Sequence, residues 1–338
     1  MEQQRNVLLT TAEIASLWTN YMNDTMATCM LKFFLRHVDD QEIKEVVQYA
    51  LHLAEQHTNA IRLIFNNEKI PVPDGFSEKN DVDLSAPRLY SDDFYLFYVN
   101  NMAKIAGNGY SLSLSNSSRE DVRRYFTECI ESSSELYNKS TEVLLNKGLY
   151  IKHPQIPYPD SIDYVKQQSF LSGWFADRRP LTSIEIMNLF FNIERNEIGK
   201  SLVMGFSQVA RNKEVADFMV RAKQISAKHI EIFGSILSES ELPAPMTWDT
   251  LPTKSTSKTF SDKLMMFHVT ALTAAGASHY GTSLGTSPRR DIGLHYSRLM
   301  QEILIFSEDG ANIMINNGWM EQPPSAVDRK ALVSSNRE

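Results

Sequence analysis

The chain has 338 residues, of which 42% are apolar, and it carries a formal net charge of −7 with a pI near 5.7. That length suits about two domains, and no apolar run approaches the roughly 18 residues a membrane span needs. The polar start from Met1 to Val7 lacks the apolar stretch of a signal peptide. The acidic balance argues against a nucleic-acid partner. Two cysteines, Cys29 and Cys129, offer no disulfide framework and suit a reducing cytoplasm.

The sequence repeats itself. Leu9-Thr10-Thr11-Ala12-Glu13-Ile14 returns as Leu181-Thr182-Ser183-Ile184-Glu185-Ile186, an offset of 172 that holds through His57/His229 to Pro71-Val72-Pro73 against Pro243-Ala244-Pro245. From Ser91-Asp92 against Ser261-Asp262 the offset is 170, through Tyr110/Tyr280 and Arg119-x-Asp121/Arg289-x-Asp291 to Asn146-x-Gly148/Asn316-x-Gly318. One gap over so long a register marks two copies of one unit.

Each copy reads as four long helices. Thr10-x-x-Glu13 and Thr182-x-x-Glu185 are capping boxes that open the first helix, which runs to about 36 and 208. Its apolar stripe Ile14, Leu17, Trp18, Tyr21, Met22 has helical spacing. The second helix follows a turn near Asp39-Asp40, carries His57 or His229 on its stripe, and is expected to stop at Pro-x-Pro. Ser91 and Ser261 cap the third. Ser117-x-x-Glu120 and Ser287-Pro288 are expected to open the fourth, the latter with proline at the first helical position, and Gly148 and Gly318 to end it in the left-handed conformation.

Roughly 20 residues separate helices two and three in each copy, well beyond a usual helix–helix turn. A segment of that reach can run the length of the group and leave helices two and three parallel. Two hairpins joined by one long crossover is the ferritin-like topology. The predicted fold is all-α: two tandem ferritin-like four-helix bundles at residues 1–150 and 181–327, a linker at 151–180 and a polar tail at 328–338, with near two-fold pseudosymmetry.

The paired LTxxEI starts, paired histidines, Pro-x-Pro loops and serine-capped helices together resemble the tandem ferritin-like proteins of spore-forming bacteria that carry a twice-repeated domain of unknown function. Some members are labelled spore-coat-like. The resemblance runs from Leu9 to about Val327 and brings no catalytic motif. It implies a sporulation-related role, with a cytoplasmic or spore-associated location and with self-association or spore-coat proteins as partners.

The di-iron pattern of this topology needs Glu-x-x-His on two helices. The second helices offer Ala54-x-x-His57 and Ser226-x-x-His229, and the fourth helices offer no such pair. No cofactor and no catalytic residue is therefore expected, and a non-enzymatic structural protein is favoured. The alternative is a degenerate metalloprotein holding zinc or iron in repeat two, with His229, His295, Glu197, Glu302 and His268 as candidate ligands and His57 as the counterpart in repeat one. At about 1.5 Å per residue, His229 and His295 fall roughly 26 Å from the start of helix two, Glu197 and Glu302 near 17 Å and His268 near 10 Å. One compact site cannot readily use all five. A small-molecule binder is a third reading. Gly281-Thr282-Ser283-Leu284-Gly285 matches a hydrolase elbow but lies at a helix end without a strand, and Gly107-Asn108-Gly109 lacks the strand and lysine of a phosphate loop. Cys29, Cys129, Met265-Met266 and the linker aromatics Phe170, Trp174 and Phe175 are read as packing residues.

Overall fold

The computed structural model describes residues 7–173, 178–245, 248–329 and 332. Among them the chain is all-helical: α1 (Thr11–His37), α2 (Gln41–Asn67), a one-turn α3 (Glu78–Asp81), α4 (Asp92–Ser115), α5 (Glu120–Asn146), α6 (Ser183–Val209), α7 (Lys213–Ser238), α8 (Asp262–Thr286) and α9 (Arg290–Asn316). Both capping boxes form, Ser91 and Ser261 cap α4 and α8, and Gly148 and Gly318 adopt φ of 69° and 67°. The glycine motifs at 107–109 and 281–285 lie inside α4 and α8, so neither forms a loop.

Two helix ends differ from expectation. Helices α2 and α7 stop before their prolines, at Lys69 (φ 58°) and Glu241 (φ 56°). There the Ile70 amide donates to the Phe65 carbonyl and the Leu242 amide to the Leu237 carbonyl, satisfying carbonyls at the helix end. Helices α5 and α9 are preceded by Arg119 and Arg289 and not by the predicted serine caps, so Pro288 lies outside α9. The amides that lead into them are satisfied from another helix. Glu13 accepts from the Thr10 amide at 2.7 Å and also from the Ser118 and Arg119 amides at 2.8 Å. Glu185 does the same for the Thr182 amide at 2.8 Å and the Arg289 amide at 3.0 Å. A buried carboxylate at two helix N-termini suits the partial positive charge there, and it ties the starts of the first and fourth helices together. Each cap arginine also grips the aspartate two residues on through its guanidinium, Arg119 on Asp121 and Arg289 on Asp291.

The starts of α2 and α4 meet where Asp92 accepts the Asp40 amide at 2.8 Å, and the starts of α7 and α8 meet where Asp262 accepts the Asn212 amide at 3.0 Å. Further along, His57 meets Tyr110 and His229 meets Tyr280. Helices two and three of each half therefore run parallel, as the crossover length predicts. Helices α1, α2, α4 and α5 pack together in one half, and α6 to α9 in the other.

The crossovers pair with each other. The Asp83 amide donates to the Thr259 carbonyl at 2.8 Å, and its repeat equivalent, the Thr253 amide, donates to the Leu89 carbonyl at 2.8 Å. Isolated bridges Val82↔Phe260 and Tyr90↔Pro252 are likewise exchanged by the repeat register. The halves are thus related by a pseudo-two-fold axis through this contact. A hydrophobic core straddles the axis, joining Phe33, Phe34, Tyr90 and Tyr98 to Phe206, Phe260, Met265 and Met266, and a smaller cluster closes the far end of each half. The two halves thus share one core flanked by two satellites. Cys29 and Cys129 are buried, and burial, together with Asp81, pushes the Cys29 thiol up to about 12. Phe170 stacks under Arg179, while Trp174 and Phe175 lie outside the described residues.

Candidate functional site

The retained histidine is the centre of each half. In the first, His57 Nδ1 lies 3.4 Å from Asp24 Oδ2 and 3.4 Å from the Tyr110 hydroxyl. Asn20 on α1 donates to Asp24 at 2.8 Å and to the Tyr125 hydroxyl at 2.6 Å. In the second half His229 is fully buried, with Nδ1 at 2.8 Å from the Tyr280 hydroxyl and Nε2 at 3.3 Å from Glu302. Asn192 approaches the Tyr296 hydroxyl at 3.4 Å, and Asn196, the equivalent of Asp24, donates to Tyr280 at 2.8 Å. The histidine–tyrosine contact is common to both halves. The carboxylate comes from the first helix in one half and from the fourth in the other.

Burial opposes a charge on both rings, but the partners differ. At His57 burial is outweighed by the hydrogen bond and charge of Asp24 and, after them, by Cys129, which together hold the imidazole up at about 10. Asp24 is itself pushed up by burial against the pull of His57. At His229 burial prevails over Glu302, whose charge is shared with Lys228 at 2.8 Å, and the imidazole falls below its ordinary value.

Of the predicted metal-site residues, His229 and Glu302 come together and the others do not. His295 does not share a level with His229; the core positions of α9 are Ile292, Tyr296 and Leu299, and His295 is only half-buried beside them. Glu302 reaches His229 because side chains lean toward their own helix N-terminus, and these antiparallel helices lean toward each other. Glu197 is buried under the crossover, where Oε2 accepts from the Trp248 amide at 3.4 Å and lies 3.4 Å from Lys200; Oε1 has no partner, and burial lifts its pKa. His268 sits at the pseudo-axis, 3.2 Å from the hydroxyl of Tyr98, its own repeat equivalent. Among the described residues no group of three or more His, Cys, Asp or Glu is placed to hold a metal ion.

A cavity of about 90 Å³ lies beside Asp24, His57 and Tyr110, and one of about 100 Å³ beside Asn196 and Tyr280. Each has room for a few waters. Sequence reasoning missed Asp24, which has asparagine as its equivalent and so no mark in the repeat. It used Tyr110/Tyr280 only as a register marker, although their conservation between the copies, like that of His57/His229, was the available signal.

Fold and interior together define an all-helical protein of two tandem copies, each keeping an interior histidine–tyrosine pair between its second and third long helices. The chain belongs to the family described as a protein of unknown function (DUF3231), whose model matches it twice, at residues 2–162 and 169–332. No curated protein matches it. Among solved structures, a candidate spore coat protein of Bacillus halodurans C-125 is similar at 17% identity and a TM-score of 0.43, over 44% of this chain and 98% of that one.

Proposed function

We propose that the chain is a non-enzymatic structural protein built from two ferritin-like bundles, residues 1–150 and 181–327, with a linker at 151–180 and a tail at 328–338. The parallel second and third helices and the crossovers support the ferritin-like assignment. One observation carries the structural reading: the carboxylate facing the retained histidine changes helix between the copies, from Asp24 on α1 to Glu302 on α9. A metal site inherited through duplication needs its ligand set held in place, whereas a buried histidine needs only some acceptor. The spore-coat-like and cytoplasmic or spore-associated parts of the reading rest on the family resemblance, and fractionation of sporulating cells tests them.

The competing reading is a zinc or iron site on His229 and Glu302. Elemental analysis of protein purified without chelator or affinity-tag metal separates the two. Sub-stoichiometric zinc and iron, unchanged in His229→Ala, is expected. One equivalent of either metal, lost in His229→Ala, would contradict the proposal.

A further inference from the structure

A groove of about 590 Å³ runs between α1 and α4 of the first half and α8 of the second. Its size is that of a small-molecule site. Its walls are largely apolar, with Met26, Met102, Ile105, Ala106, Leu272 and Ala275 among them. The outer end opens at the exposed Leu112 and Asn116, and the inner end reaches the buried pair Tyr98 and His268.

Among the described residues the equivalent space of the second half, beside Asn192, Arg195, Asn196 and Tyr280, is only about 100 Å³, and positions along it carry larger side chains. Ala15, Thr19 and Gly109 correspond to Met187, Phe191 and His279. There the Phe191 and His279 rings meet at 5.2 Å and Arg195 lies over Phe191. The opening in the first half follows from small residues at positions where the fold accepts large ones.

The inner end is chemically incomplete. His268 is about 1% exposed and its Nδ1 has no partner, while its Nε2 meets the Tyr98 hydroxyl at 3.2 Å. Burial keeps the imidazole neutral, with a pKa near 3. The pair then holds two donor hydrogens, one on the imidazole and one on the phenol, and its single hydrogen bond uses one. In either tautomer one buried donor lacks an acceptor, a costly condition. Among the described residues lining the groove there is no lysine or arginine, and there is one carboxylate, Asp24. An anionic head would meet no countercharge.

We infer that this groove binds an uncharged, elongated apolar molecule with one acceptor oxygen, such as a ketone, ester or ether, seated with that oxygen on the Tyr98–His268 pair. The groove borders the His57 cluster through Asp24 and Tyr110, but the Tyr98–His268 seat is distinct from the His57–Tyr110 and His229–Tyr280 pairs.

The test uses the full chain and propionyl-dimethylaminonaphthalene, a neutral fluorophore with one ketone oxygen and solvent-sensitive emission. Saturable binding with blue-shifted emission is expected, abolished by Thr19→Phe, which installs the side chain the second half already carries. The double variant Tyr98→Phe/His268→Phe removes both donors without leaving either unpaired. It should weaken the ketone probe roughly fivefold or more and leave the naphthalene without its carbonyl unchanged. A medium-chain methyl ketone should displace the probe better than the carboxylate of equal length. Solvent-like emission, binding that survives Thr19→Phe, equal loss of both probes in the double variant, or better displacement by the carboxylate would each overturn the inference.

Discussion

His57 and His229 occupy equivalent places, yet Asp24 faces one ring and a lysine-shared Glu302 faces the other. Because the folded pKa of His57 is raised to about 10, its stabilisation is full below its unfolded value near 6.5 and is lost as pH rises toward 10. Asp24→Asn installs the residue found at the equivalent Asn196. NMR titration of the imidazole should then show the His57 pKa falling well below about 10, since burial remains and the carboxylate is gone. An unchanged titration would mean that Asp24 is not its partner. Glu13 works in the opposite sense. Burial raises its pKa, but amide donors from Arg119, Thr10 and Ser118 bring it down to about 2. Its contribution is present above about 4.5 and is lost as pH falls toward 2. Glu13→Gln should cost about 1–3 kcal/mol in denaturant unfolding, because one of the two carboxylate oxygens, each serving a different helix end, becomes a donor group. The capping box was legible from Thr10-x-x-Glu13 alone. The reach of Glu13 to Ser118 and Arg119 was not, because nothing local records a contact about a hundred residues away.

At the scale of elements, the helices were readable because capping residues, apolar period and terminal glycines agree in both copies. The meeting of the crossovers was not, because each is an aperiodic segment, and the acceptors of the Asp83, Ser91, Thr253 and Ser261 amides lie on the other one. Their packing uses a volume exchange across the pseudo-axis. Phe33 packs on Phe260 in one copy; the equivalents are Gly205 and Tyr90, with the Tyr90 hydroxyl donating to the Leu202 carbonyl at 2.7 Å. A Cβ on Gly205 would lie about 2.5 Å from the Tyr90 ring, and neither the ring nor the backbone beside it has room to yield. Gly205→Ala should therefore destabilise the protein by about 1–3 kcal/mol, measured by chemical denaturation. A loss below about 0.5 kcal/mol would show that the crossover contact is looser than described.

For the whole molecule, the core that straddles the axis makes the halves interdependent, and calorimetry should show one cooperative transition with equal calorimetric and van't Hoff enthalpies. On this common frame the interiors have diverged. Burial lowers the pKa values of His229, His268, His279 and His295, with His268 near 3 and His279 near 4, whereas His57 is raised. A depressed histidine stabilises fully above about 6.5 and loses that contribution as pH falls, since the unfolded chain then binds the proton; for a wholly buried ring the loss at pH 5 is about 2 kcal/mol. The first half carries the opposite sign, because His57 is already protonated when folded. Hydrogen exchange at pH 7 and pH 5, resolved along the full chain and corrected for intrinsic rates, tests this divergence most directly. On acidification α7 and the outer turns of α8 and α9 should lose protection while α2 and the outer turns of α4 and α5 keep theirs. Equal loss in both halves, or earlier loss in the first, would contradict it.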